Sequence, residues 1–166
     1  MTEVDIGTLH AVGDRWELRF ERRFPHPAEK VWRALTDPEH LRHWFPADIE
    51  GEMSTGGEIR FVFRAGEGPT LGGRVIQADA PKLLVYTWAT EEFRWELRPD
   101  AGGCLLRFTN TFDERGKAAK VGAGWHVCLD ALGTLLDGAA EPVTQEAWDR
   151  VHPGYVAAFD ETSRPE

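Results

Sequence analysis

The stretch VGAGWHVCLDALGTLLDG, residues 121–138, predicts the longest helix of the chain. Its apolar residues recur at spacings of three and four, which is the pattern of an amphipathic helix with one buried stripe. That stripe comprises Val121, Trp125, Cys128, Leu129, Leu132, Leu135 and Leu136. His126 and Asp130 fall on the opposite side at a spacing that favours a surface pair rather than a catalytic one. Gly138 is a natural end for this helix.

The chain before this helix is dominated by the alternation of apolar and polar residues that is typical of strands. The first predicted strand extends from Trp16 to Phe24, and two short helices follow it, around residues 27–36 and 38–45. Later strands are predicted at 59–63, 75–78, 83–88, 93–97 and 104–112. The sequence therefore predicts an α+β helix-grip fold, in which an antiparallel sheet of about six or seven strands wraps around the long C-terminal helix.

A single domain is expected for a chain of 166 residues. Residues 1–14 show no clear period and are expected to be a flexible arm, whereas 15–138 form the domain. Residues 139–166 are predicted to be a helical tail, interrupted at His152-Pro153-Gly154, that packs on the same domain. The strand at 83–88 is apolar on both faces, so either the tail or a second subunit in a homodimer is expected to cover its outer face.

Charge and composition exclude several classes of partner. The chain carries 19 basic and 28 acidic residues, a formal net charge of −9 that opposes binding to nucleic acid and to anionic membranes. It has no apolar run long enough to span a membrane and no signal-peptide pattern at its amino terminus. We therefore expect a soluble, cytoplasmic protein with neither nucleic acid nor membrane as a partner.

Three stretches resemble the START-like (SRPBCC) proteins, and in particular bacterial homologues of the carboxy-terminal domain of the chaperone ATPase activator. They are FPHPAEKVWRALTDP at 24–38 followed by Leu41 and Trp44, GGEIRF at 56–61, and Gly124-Trp125 with Leu129, Leu132 and Leu136. The resemblance spans roughly residues 16–138. It implies a curved sheet that grips the long helix, with a cavity between them that takes apolar or amphipathic molecules in related proteins. The wider superfamily also includes aromatic polyketide cyclases and lipid carriers.

The abundance of large rings, with seven Trp and nine Phe, suggests an aromatic pocket between the sheet and the long helix. Asn110 and Tyr86 are the polar residues expected to project inward and to orient a ligand. The predicted ligand-binding residues are Trp32, Trp44, Phe45, Phe61, Phe63, Tyr86, Trp88, Trp95, Phe108, Asn110, Trp125, Cys128, Leu129 and Leu132. The glycine-rich stretch 65–73 reads as a mobile loop that gates this pocket. The alternative for each ring is that it simply fills the core.

Neither a catalytic group, a metal site nor a cofactor motif is predicted. Cys104 and Cys128 have the pattern of protonated core thiols. His40 and His43, with Asp37 nearby, suit an exposed helix face better than a metal site, because zinc needs three or four converging ligands. We therefore predict binding of a small hydrophobic or aromatic molecule without chemistry. The alternatives are a cyclase or dehydratase that uses the same cavity, and a stress-response protein that contacts a chaperone.

Overall fold

The computed structural model describes residues 6–63, 68–139 and 142–163, and within the last range it describes side chains as far as residue 159. Its strands are β1 Thr8–Val12, β2 Arg15–Phe24, β3 Asp48–Gly51, β4 Glu58–Val62, β5 Leu71–Asp79, β6 Leu83–Trp88, β7 Glu91–Asp100 and β8 Gly103–Phe112. Its helices are α1 Ala28–Thr36, α2 Pro38–Leu41, α3 Ala118–Leu136 and α4 Gln145–Ser163, and a short 3₁₀ turn at Arg115–Lys117 precedes α3.

The strands form one sheet in the order β1-β2-β8-β7-β6-β5-β4-β3, and every neighbouring pair is antiparallel. The central strands place one parity of residues inward, as alternation requires. In one inward row, Phe20, Phe108, Trp95 and Leu84 lie side by side across β2, β8, β7 and β6, and all are at most 1% exposed. Helix α3 lies on this inner face, so the predicted helix-grip arrangement is confirmed.

The two short helices predicted after the first long strand are present as α1 and α2, but α2 ends at Leu41 and not at residue 45 as predicted. Asp37 caps the N-terminus of α2, because its Oδ1 accepts a hydrogen bond from the backbone N–H of Glu39 at 2.9 Å. Trp44 follows α2, and its indole Nε1 donates to the carbonyl of Ala34 at 2.9 Å. This bond ties the end of the second helix to the first and fixes the Trp44 ring in the core.

The sheet has eight strands rather than the predicted six or seven. The additional edge strand is β1, which pairs with β2 from Thr8↔Arg19 to Val12↔Arg15. The expectation of a flexible arm is therefore wrong for Thr8–Val12, while residues 1–5 lie outside the described part. No residue of β1 is fully buried, so the strand has no buried face to mark it in the sequence, and main-chain pairing with β2 defines it instead.

Helix α4 continues through Pro153, where an interruption was expected, and it packs against α3. The contact is close at Gly122, where an added Cβ would lie 3.1 Å from Cδ1 of Tyr155. The hydroxyl of Tyr155 accepts from the backbone N–H of Gly7 at 2.8 Å and lies 2.8 Å from Nδ1 of His126. The predicted pair of His126 and Asp130 is present, with His126 Nε2 3.7 Å from Asp130 Oδ2. His126 is nevertheless only 2% exposed, so its expected place at the surface is wrong, because α4 covers that side of α3.

Two further expectations need correction. The mobile loop predicted over 65–73 ends before Leu71, because Leu71–Gly73 belong to β5. Residues 64–67 lie outside the described part. The tail does not cover the outer face of β6, since α4 packs on α3. On that outer face Val85 is nevertheless only 4% exposed, while Leu83 is half-buried.

Candidate functional site

The rings predicted to line a pocket pack against one another between the sheet and α3. We call them, together with Phe93, the inner aromatic cluster; its members are Trp44, Phe45, Phe61, Phe63, Tyr86, Trp88, Phe93, Trp95, Phe108 and Trp125. Trp95 and Phe108 stack with centroids 3.9 Å apart, and Trp125 of α3 meets Phe108 edge-on at 4.6 Å. The centre of the cluster is thus packed as a core is packed.

The cluster is not sealed at one end. Phe63 and Trp88 are half-buried, whereas Phe61 beside them is fully buried. Trp88 lies 4.5 Å from Phe61, 5.3 Å from Phe93 and 5.6 Å from Phe63, measured between ring centroids. We call Phe63 and Trp88 the open edge of the cluster. The other members of the cluster are buried.

Other predicted ligand-binding residues take different positions. Trp32 lies half-buried on α1 and packs against the core. Cys128, Leu129 and Leu132 are buried on α3 and belong to the same core. Cys104 is buried at the start of β8, where burial raises the pKa of its thiol, which keeps it protonated.

Tyr86 and Asn110 are both fully buried on the inner face. The Tyr86 hydroxyl accepts a hydrogen bond from Nε1 of Trp95 at 3.3 Å. Complete burial raises the pKa of this phenol well above its ordinary range, although the bond from Trp95 acts in the opposite direction. Tyr86 therefore stays neutral, and its hydroxyl links its ring to that of Trp95 through this hydrogen bond.

Asn110 is the centre of a series of polar contacts that runs from the aromatic interior to the surface; we call it the polar chain. Its Oδ1 accepts from Nε1 of Trp125 at 3.1 Å, and its Nδ2 donates to Oε1 of Glu91 at 3.1 Å. The other carboxylate oxygen of Glu91 forms an ion pair with the ammonium of Lys117. That ammonium also lies 5.6 Å from the centroid of the Phe112 ring, within the range of a cation–π contact.

Glu91 and Lys117 were not among the residues predicted from the sequence. Glu91 has the same parity as Phe93 and Trp95 on one strand, and that parity already places its carboxylate on the inner face. Lys117 immediately precedes α3, and nothing in the local pattern links it to a carboxylate 26 residues away.

A groove of about 540 Å³ lies on the outer face of the sheet, away from the cluster. Its charged residues already pair with one another, as in the contacts of Arg19 with Glu17 and of Arg107 with Glu21, both at 2.6 Å. A surface whose charges are satisfied in this way is a weaker binding candidate than the inner face.

The described residues contain neither a metal-binding cluster nor a membrane-spanning helix. Within residues 6–63, 68–139 and 142–163, no group of three His, Cys, Asp or Glu side chains converges as a metal site requires. His40 Nδ1 lies 3.6 Å from Asp37 Oδ2, and both side chains are well exposed. None of the helices in the described part of the chain is both long and apolar enough to cross a bilayer.

Comparison with solved structures identifies close relatives in fold. EF2215 from Enterococcus faecalis, a conserved protein of unknown function, superposes with a TM-score of 0.81 at 21% identity, over 95% of this chain and 92% of that one. CalU16 from Micromonospora echinospora gives a TM-score of 0.72 at 20% identity, over 93% of this chain and 96% of that one. DynU16, a protein of the dynemicin biosynthetic locus, gives 0.66 at 25% identity, over 75% of this chain and 48% of that one.

Sequence comparison gives the family. No curated protein matches this chain in sequence. The family model described as "Activator of Hsp90 ATPase homolog 1-like protein" matches residues 25–137, which span α1, the sheet from β3 to β8 and the whole of α3. The chain therefore belongs to the family of Activator of Hsp90 ATPase homolog 1-like proteins, of the SRPBCC type of fold.

Proposed function

We propose that this protein binds a small hydrophobic or aromatic molecule between the sheet and α3, and holds it without transforming it. The observation that carries the proposal is the open edge of the inner aromatic cluster, where Trp88 and Phe63 are half-buried beside fully buried rings. Protein sites for such molecules are mostly apolar and carry a few fixed polar groups. The open edge and the polar chain together supply both.

The packing of the rings favours entry of a ligand at the open edge. The Trp95–Phe108 stack lies deep in the cluster and touches Trp125, so its displacement would open a large void in the core. Trp88 instead contacts Phe61 and Phe93 and is half-buried. A flat molecule that stacks on Trp88 and displaces Phe63 would keep the deep core intact, and the ligand would replace the lost ring contacts.

Two proteins of similar fold, DynU16 and CalU16, bear on this proposal. DynU16, at 25% identity, is a protein of the dynemicin biosynthetic locus, which supports a small-molecule role for this chain. The likeness to CalU16 concerns the fold alone.

The test is a titration of the isotope-labelled protein with β-naphthyl methyl ether, a flat apolar probe, followed by the indole N–H signals in a nitrogen–proton correlation spectrum. We expect saturable shifts of the Trp88 and Trp125 signals. Trp88→Ala should weaken binding by about fivefold, because one stacked ring contributes about 1 kcal/mol beyond its buried area. Trp148→Ala is the matched control, since Trp148 stacks on His152 of α4 outside the cluster. Equal binding by both variants, or no saturable shift at Trp88 in the wild type, would refute the proposal.

A second candidate is a cyclase-like or dehydratase-like enzyme, and the position of Glu91 favours it. Its side chain is 15% exposed, and it faces the rings, where a carboxylate could move protons on a bound substrate. Native mass spectrometry can distinguish the two functions on a ligand co-purified from the source cells. An enzyme changes the mass of the bound molecule with time and loses this ability in Glu91→Gln, whereas a binding protein leaves the mass unchanged.

A further inference from the structure

We propose that Glu91 is the hydrogen-bond acceptor that makes this site selective for neutral aromatic molecules carrying a ring hydroxyl. The inference rests on the proposed function, to which it adds the chemical class of the ligand and the residue that selects it.

The position of Glu91 follows from the β6–β7 hairpin. Glu91 is the direct cross-strand partner of Trp88, and the next pair on the same face is Tyr86 with Phe93. Residues opposite each other in an antiparallel pair place their side chains on the same face, about 5 Å apart at Cβ. The carboxylate therefore lies next to the ring that forms the open edge, where a molecule stacked on Trp88 brings its rim within hydrogen-bond reach.

Two partners hold the Glu91 carboxylate in place, but they do not occupy all of its hydrogen-bond acceptor positions. Asn110 Nδ2 binds Oε1 at 3.1 Å, and the Lys117 ammonium binds Oε2. Asn110 is itself fixed through its bond with Trp125, so the acceptor is oriented before a ligand arrives. A carboxylate offers about four acceptor positions, and these two partners occupy two of them. The positions that remain accept hydrogen bonds and cannot donate any, so they favour a ligand that carries an O–H.

The charges around Glu91 favour a neutral ligand over an anionic one. Lys117 balances the charge of Glu91 and is engaged both by that carboxylate and by the face of Phe112. An anionic ligand would approach a carboxylate on a chain whose formal net charge is −9, which is unfavourable. A neutral hydroxyl meets no such repulsion, and its bond to a charged acceptor is stronger than a bond between neutral groups.

Three probes that differ in one substituent test the proposal: β-naphthol, its methyl ether, and β-naphthoate. The proteins are the wild type, Glu91→Gln and Glu96→Gln. Glu96 is the matched control, because it lies on the same strand with its side chain on the outer face, where it pairs with Arg94. Dissociation constants come from the Trp88 indole shift.

We expect the wild type to bind β-naphthol about tenfold more tightly than the methyl ether, as a hydrogen bond to a charged group allows, and more tightly than β-naphthoate. The preference should fall to about twofold or less in Glu91→Gln and persist in Glu96→Gln. If Glu91→Gln does not fold, Glu91→Asp keeps the charge that faces Lys117 but withdraws the acceptor by one methylene, and it should likewise reduce the preference.

The outcomes separate this inference from the proposed function. Equal binding of β-naphthol and its ether would overturn the inference and leave the proposed function standing. Tightest binding of β-naphthoate would assign recognition to Lys117 instead, and an unchanged preference in both Glu91 variants would remove Glu91 from the site. Failure of all three probes to bind would refute the proposed function as well.

Discussion

Replacing Asn110 with leucine tests the polar chain by removing both of its central hydrogen bonds while keeping a side chain of similar length. Asn110 is 0% exposed, and its amide joins Trp125 Nε1 and Glu91 Oε1, each at 3.1 Å. In Asn110→Leu, the indole N–H of Trp125 loses its hydrogen-bond acceptor. Trp125 is only 6% exposed, so this N–H stays inside the core without a partner.

The expected loss of stability is about 3 kcal/mol. A buried donor without a partner costs about 1–3 kcal/mol, and a lost hydrogen bond to a charged acceptor costs about 1.5 kcal/mol more. The second contribution is at the lower end of its range because Glu91 keeps its ion pair with Lys117 and some contact with water. The added apolar surface of leucine offsets part of the total.

Urea unfolding measures this loss as a shift of the midpoint at constant slope. Thr111→Val is the control, because Thr111 lies one residue further along β8 with its side chain on the outer face, and its replacement should change stability by less than about 0.5 kcal/mol. A double-mutant cycle with Trp125→Phe, which removes the donor itself, should reduce the cost of Asn110→Leu by about 1–2 kcal/mol. A cost below about 1 kcal/mol, or no coupling in the cycle, would show that the polar chain does not stabilise the fold.

Three further outcomes follow from the contacts of α4 and from the buried thiol. Tyr155→Phe should cost about 1–2 kcal/mol and accelerate hydrogen exchange at the Gly7 amide, which loses its acceptor. In urea unfolding, Gly122→Ala should destabilise the protein, because its Cβ would lie 3.1 Å from Tyr155, whereas Gly124→Ala, with nothing within 4 Å, should stabilise α3 by up to about 1 kcal/mol. Burial raises the pKa of Cys104 from its ordinary 9.0, so its contribution to stability is complete below that pH and is lost as the pH rises through the folded-state pKa. Thiol labelling read by mass spectrometry should accordingly leave Cys104 unmodified in the native protein at neutral pH.

Periodicity made the central elements of the fold predictable. The inward rows of β7 and β8 and the stripe of α3 follow from local alternation, because burial on one face selects apolar residues at a fixed spacing. Strand β1 could not be predicted in this way, since none of its residues is fully buried and main-chain pairing with β2 defines it. The helical character of the tail was predicted, but its continuity was not, because α4 remains helical through Pro153 where an interruption was expected.

For the candidate site, the sequence predicted which residues face inward but not how closely they pack. Parity placed Trp95, Phe108 and Asn110 on the inner face, where the structure has them. Parity does not predict that the deep rings pack closely together, nor that Trp88 and Phe63 stay half-buried. Both features depend on how separate strands and α3 approach one another.

The sequence by itself determined which face of each long element is apolar, and therefore that a sheet grips a helix. Tertiary structure alone decided the environment of the polar residues. His126 lies on the polar side of α3 but is buried, since Tyr155, 29 residues later, packs over it. Glu91, Asn110 and Lys117 form one chain only because β7, β8 and the start of α3 meet at one end of the sheet. Hydrogen bonds and ion pairs depend on distance in space, and no local period in the chain records which distant residues become neighbours.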